Sequence, residues 1–332
     1  MERWKVGFYV YMLLSSMVYG IYSVMSRDLV KTYLGFDYRF MTVLISAETI
    51  PMLFSVLAGG LGDVISRRNV LALGTLASVP LYLMGVLRLD VLPLLAAGYV
   101  SLWTLASPSV TGAFLDATSS SGMQYSLYAM FGSIGWGSGG LLAGLLKGAG
   151  GKSTTFAFAA IAMAISFVAA YLSYPKNLVS KQASPKQVFR GVKDVAPLFV
   201  IVAGVMASIN LFYGNYSLRL REIAGSTELF GVIYTTLPAA TGALVRPIAG
   251  RLSDRFSPKA MLAFTILAYI VLFPLMSSSW GLPAVLLWLI PLYPFMDQGS
   301  MMTVSRSLPA SLQGVAAGVI STCGDSLQRC GQ

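Results

Sequence analysis

The chain has 332 residues, of which 56% are hydrophobic and only 11% are charged, and its mean hydropathy is +0.71. Because a soluble domain carries about 25% charged residues, this composition excludes an ordinary soluble protein and indicates one that lies within a membrane. The net charge of +10 does not indicate nucleic-acid binding, since the basic residues fall in short loops between apolar runs, and the absence of histidine excludes His-based metal sites and general bases.

Apolar runs of about 20 residues recur along the chain, and each is long enough to cross a bilayer as a helix. They predict ten spanning helices, here called spans and numbered in chain order, and the beginning of an eleventh. The predicted spans lie at about 6–26, 40–61, 69–87, 91–115, 124–146, 154–174, 195–217, 229–250, 259–279 and 282–304, with the eleventh starting near Leu312. The predicted fold class is therefore an all-α polytopic membrane protein.

A polar, basic stretch at 175–194 separates six predicted spans from the rest. It predicts a linker between an N-terminal six-helix half at 1–174 and a C-terminal half at 195–332. Loops on the side of the N-terminus carry more Lys and Arg than loops on the other side, even with Arg27 and Lys31 placed in the first outer loop. Since cytoplasmic loops carry this excess, the N-terminus and the linker are expected in the cytoplasm.

The loops after spans 2 and 8 carry the same pattern of Gly, Leu and Asp at alternate positions, with a basic residue five positions after the Asp. The two copies consist of Gly59, Leu61, Asp63, Arg67 and Arg68, and of Gly250, Leu252, Asp254, Arg255 and Lys259. A repeat at equivalent places indicates a chain built from two related halves. Each Asp suits the positive end of a neighbouring helix, and the basic residues suit pairing with the Asp and with lipid phosphates.

This repeated loop resembles the signature of the major facilitator superfamily, Gly-x-Leu-x-Asp-Arg-x-Gly-Arg-Arg/Lys. The copies depart from it at Val64 and Ser66 and at Ser257 and Pro258. The two serines are predicted to cap the helix that follows, and Pro258 is predicted to be a first helical residue. The resemblance covers the whole chain. It implies two six-helix repeats, transport of a small solute by alternating access, and a signature cluster that keeps the cytoplasmic side closed in the outward-facing state.

Two acidic residues lie inside predicted spans, where an ionisable group is costly and usually faces a cavity or a partner. Glu48 of span 2 is a candidate carrier of a coupling proton, and the alternative is a structural carboxyl bonded to a neighbouring helix. Asp297 and Gln298 of span 10 follow Pro291 and Pro294, which predict a kinked helix of the kind that forms transport sites. Their alternative is a packing kink with a capped Asp near the inner surface.

Two pairs of polar side chains share a helix face in the predicted spans. Asn210 and Tyr213 of span 7, and Tyr19 and Tyr22 of span 1, are candidates for contact with a polar solute. The alternative for each pair is hydrogen bonding between helices. Arg246, near the end of span 8, is predicted to extend to the membrane interface, with the binding of an anion as its alternative.

Glycines recur along one face of span 5 at a spacing of four residues. They are Gly135, Gly139, Gly140, Gly144 and Gly148. Ridges of small residues allow neighbouring helices to pack closely, so span 5 is expected in tight contact with other spans.

The sequence after Gly324 reads Asp-Ser-Leu-Gln-Arg-Cys-Gly-Gln, which is too polar for a lipid-facing helix. We therefore expect a chain truncated within span 11, with an incomplete second repeat and with Asp63 deprived of its partner at that span. Two functions stay open, a transporter and a truncated, non-transporting remnant of one. An enzyme is not expected, because the sequence offers no catalytic cluster.

These features favour secondary active transport of a small solute across the cell membrane, with protons as the expected coupling ion. The expected partners are the lipid bilayer, a small-molecule substrate and the proton. The chain is expected as a multi-pass monomer with a cytoplasmic N-terminus, without a cofactor, a metal or a nucleic acid.

Overall fold

The computed structural model describes residues 3–34, 38–175 and 183–323, and the regular elements within them are helices. In the N-terminal half, span 1 is Arg3–Leu34, span 2 is Tyr38–Thr49 with Ser55–Val64, span 3 is Arg67–Leu73 with Ser78–Val86, and span 4 is Leu92–Ala117. Short 3-10 turns, Ile50–Phe54 and Gly74–Ala77, join the two parts of spans 2 and 3, and a third, Leu89–Val91, precedes span 4. Spans 5 and 6 together form Gly122–Leu172.

The C-terminal half repeats this arrangement as far as the described residues extend. Span 7 is Pro185–Ala224, span 8 is Thr227–Gly231 with Leu237–Arg255, span 9 is Pro258–Ser278, span 10 is Leu282–Trp288 with Tyr293–Ser307, and span 11 is Gln313–Cys323. A π-helical turn, Val232–Thr236, lies within span 8, and a 3-10 turn, Ala310–Leu312, precedes span 11. The predicted end of span 11 after Gly324 lies outside the described residues.

Eight of the described helical segments are long and apolar enough to cross a membrane. One of them, Gly122–Leu172, holds both span 5 and span 6, which separate at a break where Gly151 has a φ of +69°. Glycine adopts this left-handed conformation without a steric cost. The predicted all-α polytopic fold is confirmed.

The predicted kink in span 10 is present. Its two helices are separated by a non-helical segment that contains Pro291, a residue without a backbone N–H to donate. Pro294 lies in the first turn of the second helix, where the missing N–H would have no partner in any case. Span 10 therefore brings Asp297 to the beginning of a helix instead of to the middle of one.

The largest differences from the predicted span limits are in spans 1 and 7, and span 7 ends at Ala224 instead of near 217. Span 1 continues to Leu34, so that Arg27 is buried within it and does not lie in an outer loop. Span 7 begins at Pro185, inside the segment predicted as a linker. Its start is fixed by a capping box in which the Ser184 hydroxyl accepts from the backbone of Gln187 and the Gln187 side chain accepts from the backbone of Ser184.

The small-residue face of span 5 packs against span 1. A Cβ on Gly135 would overlap the carbonyl oxygen of Leu13, and one on Gly139 would overlap that of Met17. The prediction of close packing is confirmed for these glycines and is wrong for Gly148, which has no atom near its Cβ position. Gly148 lies beyond the packed part of the helix, so spacing alone overextends the ridge.

The two signature loops lie at the same end of the helical bundle, here called the signature end. Spans 2 and 8 finish there, and spans 5 and 11 begin there. The other end, where spans 1 and 7 finish, is here called the opposite end. Each end holds a cluster of charged side chains, and a cavity and two buried ion pairs lie between the ends.

Candidate functional site

Asp63 of the first signature binds the N-terminus of span 11. Its carboxylate accepts from the backbone N–H of Gly314 at 3.1 Å and of Val315 at 2.9 Å, and from Arg67 at 2.7 Å. Arg67 continues to Asp116 of span 4 at 3.1 Å. A carboxylate at a helix N-terminus meets unpaired N–H groups and the positive end of the dipole. The expectation that Asp63 lacks its partner at span 11 is therefore wrong, because the first turn of that span is present.

Asp254 of the second signature makes the corresponding contact in the other direction. It accepts from the backbone N–H of Gly122 at 3.1 Å and of Met123 at 3.0 Å, at the N-terminus of span 5. Its ion-pair partner is Arg306 at the end of span 10, at 2.5 Å. Each half thus places its signature carboxylate on a helix of the other half, and the two contacts close the signature end.

The other signature residues support these contacts from the surrounding helices. A Cβ on Gly59 would overlap the backbone of Gly314, and one on Gly250 would crowd Ser126, so both glycines permit close approach. Arg68 lies over the ring of Tyr171 at 4.6 Å. Arg255, Lys259 and Leu61 are exposed, and Leu252 is half-buried.

Two expectations about the signature loops need correction. The basic partner of Asp254 is Arg306 and not Lys259, since span 10 ends beside span 8 at this point. Ser66 and Ser257 both precede a helix, but neither hydroxyl makes a capping hydrogen bond. Pro258 is the first residue of span 9, as predicted.

A second cluster of charges joins the halves at the opposite end. Asp28 of span 1 accepts from Arg221 of span 7 at 2.8 Å, from Lys147 of span 5 at 2.5 Å and from the hydroxyl of Thr227 at 2.7 Å. Asp28 is completely buried and Arg221 nearly so. One carboxylate therefore connects four spans of both halves, and this end of the bundle is closed as well.

Glu48 forms a buried ion pair within the N-terminal half. Its two carboxylate oxygens accept from the two terminal nitrogens of Arg27, at 2.7 and 2.8 Å, and one of them also accepts from the hydroxyl of Tyr22 at 2.5 Å. The ring of Tyr19 packs against that of Tyr22. The forked geometry suits a permanently charged guanidinium and an ionised carboxylate.

Asp297 forms the second buried ion pair, in the C-terminal half and against span 5. One oxygen accepts from Arg246 of span 8, and the other accepts from the hydroxyl of Tyr125 at 2.8 Å. Arg246 also donates to the hydroxyl of Ser133 at 3.0 Å. The prediction that Arg246 extends to the membrane interface is wrong, because the side chain is 1% exposed and is held inside by its carboxylate partner.

A narrow cavity between the halves adjoins Asp297. It is lined by side chains from spans 1, 4, 5, 10 and 11, among them Tyr11, Trp103, Ser107, Tyr125 and Asp297. Its free volume is about 20 Å³, the space of about one water molecule. Both ends of the bundle are thus closed, and side chains nearly fill the cavity between them.

The remaining candidates lie away from this cavity. Gln298 donates to the carbonyl of Gly122 and to the hydroxyl of Ser253, and so helps to join span 10 to spans 5 and 8. Tyr213 packs among aromatic rings that include Phe273 and Trp288. The side chain of Asn210 lies outside the described residues.

Sequence reasoning missed most of the charged partners. The predicted end of span 1 at about 26 leaves Arg27 and Asp28 in a loop, and Lys147 and Arg221 lie beyond the predicted ends of spans 5 and 7. A signal was present in Asp28, an acidic residue directly after an apolar run with basic residues on both sides. Its partners, however, lie on other spans far along the chain, and the sequence does not show that they meet.

The chain matches a family model and several solved structures. The model described as Major Facilitator Superfamily covers residues 7–328. No curated protein matches the sequence. The human organic anion transporter MFSD10 (TETRAN) has a TM-score of 0.68 at 16% identity, covering 99% of this chain and 91% of its own.

Two further structures share the fold. The nucleoside transporter NupG has a TM-score of 0.67 at 13% identity and covers 99% of this chain and 89% of its own. The E. coli fucose:proton symporter FucP has a TM-score of 0.66 at 15% identity, with 97% and 89% covered. With a family model that spans nearly the whole sequence and a fold shared with these structures, the chain belongs to the Major Facilitator Superfamily.

Proposed function

We propose that the chain is a secondary active transporter that moves a small solute by alternating access and couples this movement to protons. We place it in the cell membrane with the N-terminus, and hence the signature end, in the cytoplasm. The excess of Lys and Arg on that side supports this orientation.

The observation that carries the proposal is the pair of closures between the halves. Asp63 and Asp254 join the halves at the signature end, and Asp28 joins them at the opposite end, with the cavity between. Opening one end requires only that its own contacts break, while the other end stays closed. Two packings of similar free energy, each open on one side, are what alternating access requires.

Asp297 and Glu48 are the two candidates for the coupling proton. Both carboxylates are buried and paired with an arginine. Asp297 lines the cavity, whereas Glu48 is enclosed by Arg27 and Tyr22 and does not line it. A proton that enters with the solute through the cavity reaches Asp297 first, so the geometry favours Asp297.

The test is proton flux into proteoliposomes that contain the purified chain, recorded with a trapped pH dye while a panel of sugars, nucleosides and organic anions is added. The expected result is a solute-dependent flux that is lost in Asp297→Asn and retained in Asp90→Asn. Asp90 is an exposed carboxylate paired with exposed Arg88, so its variant controls for the loss of a charge. Glu48→Gln separates the two candidates.

Two other outcomes would change this proposal. Flux lost only in Glu48→Gln would transfer the proton role to Glu48. No flux with any solute, from protein shown to be folded, would support the alternative of a non-transporting remnant and contradict the proposal.

A further inference from the structure

Arg246 does not line the cavity but binds a carboxylate that does. Asp297 lines the cavity, and Arg246 is held beside it with Nε bound to Ser133, Nη1 bound to Asp297 and its guanidinium over the ring of Tyr293. Its other terminal nitrogen, Nη2, is buried and has no hydrogen-bond partner among the described residues. A fixed guanidinium with a free N–H group can donate to a second carboxylate.

The charge balance of this pair restricts what can enter. Arginine stays protonated in proteins, so only Asp297 can change charge within the pair. When Asp297 takes up a proton, Arg246 remains as an uncompensated charge in the protein interior, which is strongly unfavourable. An anion from the cavity that binds Arg246 restores neutrality, whereas a neutral or cationic solute does not.

We propose that the solute is an organic monoanion, whose carboxylate replaces the ionised Asp297 at Arg246 while Asp297 carries one proton. This inference rests on the proposed transport function and names the solute class of the same site. The empty site holds one guanidinium and one carboxylate. The loaded site holds one guanidinium, one protonated Asp297 and one solute carboxylate, so both forms are neutral and one proton accompanies each anion.

Among the titratable groups around the site, Asp297 is the one that carries the proton. The charged or titratable side chains that contact Asp297, interact with it electrostatically or line the same cavity among the described residues are Arg246 from span 8, Tyr125 and Tyr128 from span 5, Tyr11 from span 1 and Tyr293 from its own span. Tyrosines ordinarily titrate near pH 10 and arginine above it. The rings of Tyr11 and Trp103 supply an apolar surface for the organic part of the anion.

The pair formed by Arg27 and Glu48 serves as the comparison, because the nitrogen of Arg27 that has no hydrogen-bond partner among the described residues is the inner Nε and not a terminal nitrogen. Both terminal nitrogens of Arg27 are occupied by Glu48, and neither residue lines the cavity. A carboxylate that enters this cavity therefore adjoins the pair of Asp297 and Arg246 and not the pair of Glu48 and Arg27.

Chemical rescue tests the anion site without requiring transport. The full chain carrying Asp297→Ala is heated in detergent with acetate, which can occupy the vacated position, or with acetamide, its uncharged analogue. Acetate is expected to raise Tm and acetamide is not.

The rescue should be absent from the double variant Asp297→Ala/Arg246→Ala and from Glu48→Ala. Equal effects of acetate and acetamide would overturn the inference. If Asp297→Ala does not fold, Asp297→Asn takes its place with the same comparison.

Transport in proteoliposomes tests the coupling. We expect one proton to be taken up with each benzoate ion. The rate of benzoate uptake should not respond to an imposed membrane potential, and benzamide should not be taken up. Arg246→Gln should weaken benzoate binding at least about tenfold, because a hydrogen-bonded charge pair is lost. Movement of benzamide or another neutral solute without benzoate would overturn the anion inference and leave the transport function standing. Folded protein that moves no solute would overturn both.

Discussion

Asp63 and Asp254 make equivalent contacts in very different surroundings. Asp63 and its partner Arg67 have fully buried side chains, whereas the side chains of Asp254 and Arg306 are 35% and 38% exposed. Breaking a buried pair leaves an unpaired charge and costs about 3 kcal/mol or more. An exposed pair contributes less than about 1 kcal/mol.

We therefore expect Asp63→Asn to lower Tm in detergent clearly more than Asp254→Asn does. The asparagine keeps the size of the side chain and offers one acceptor to the N-terminus of span 11, but it removes the charge beside Arg67. Thermal unfolding of the two variants in parallel checks this. Equal shifts in Tm would mean that burial does not determine the strength of the signature contacts.

Arg221 and Lys147 both pair with Asp28 but differ in exposure. The Arg221 side chain is 6% exposed and binds through two nitrogens, while the Lys147 side chain is 30% exposed and binds through one. Arg221→Met is expected to lower Tm more than Lys147→Met, because water and salt replace much of the lysine contact. Unfolding measured at low and at 1 M salt checks this, and the lysine variant should differ less from wild type at high salt. A larger effect of Lys147→Met would contradict the assignment of Arg221 as the main partner.

Single-residue roles were predictable from sequence only where a local pattern carried them. The spacing within the signature, together with the preference of carboxylates for helix N-termini, predicts where Asp63 binds. Arg246 was misread because an arginine near the end of an apolar run has the same sequence context whether it extends to the interface or pairs inward. Its partner Asp297 lies in another span, and only the folded bundle brings the two together.

At the level of helices, close packing at glycines holds span 2 against span 11. A Cβ on Gly59 would overlap the carbonyl of Gly314, a backbone atom that cannot move aside. Gly59→Ala is expected to separate the two helices, to weaken the contact of Asp63 and to abolish most transport. Gly204→Ala is the matched control, since no atom lies near its Cβ position and alanine favours the helix by about 1 kcal/mol.

Solute uptake and Tm of these two glycine variants check the expectation. The control should transport normally and be at least as stable as wild type. Normal uptake by Gly59→Ala would show that the approach of spans 2 and 11 is not needed for the cycle.

Most helices were predictable because apolar runs of bilayer length are strong signals. The helix limits that depend on polar contacts were not predictable in the same way. Span 1 continues past Arg27 because Arg27 and Asp28 are neutralised by partners from other spans. The start of span 7, in contrast, has a local signal in the sequence, since Ser184, Pro185 and Gln187 form a capping-box pattern within the basic segment.

At the level of the whole molecule, the two halves exchange equivalent contacts. The signature carboxylate of each half binds the first turn of the corresponding span of the other half, span 11 for Asp63 and span 5 for Asp254. Among the described residues, the charged contacts between the halves at the opposite end converge on one buried carboxylate, Asp28, in place of a symmetric pair. The closures therefore differ in construction, and each can be broken without touching the other.

The most direct test of alternating access is to measure two distances between spin labels by double electron-electron resonance in nanodiscs. Cys323 and Cys330 are replaced by serine so that only the introduced cysteines carry a label. Labels at Asn69 and Lys259 report the signature end, and labels at Arg88 and Ser278 report the opposite end. All four positions are exposed, and they lie at or just beyond the ends of spans 3 and 9. Asp28→Asn should lengthen only the second distance, and the double variant Asp63→Asn/Asp254→Asn only the first. Lengthening of both distances in either variant, or of neither, would contradict the account.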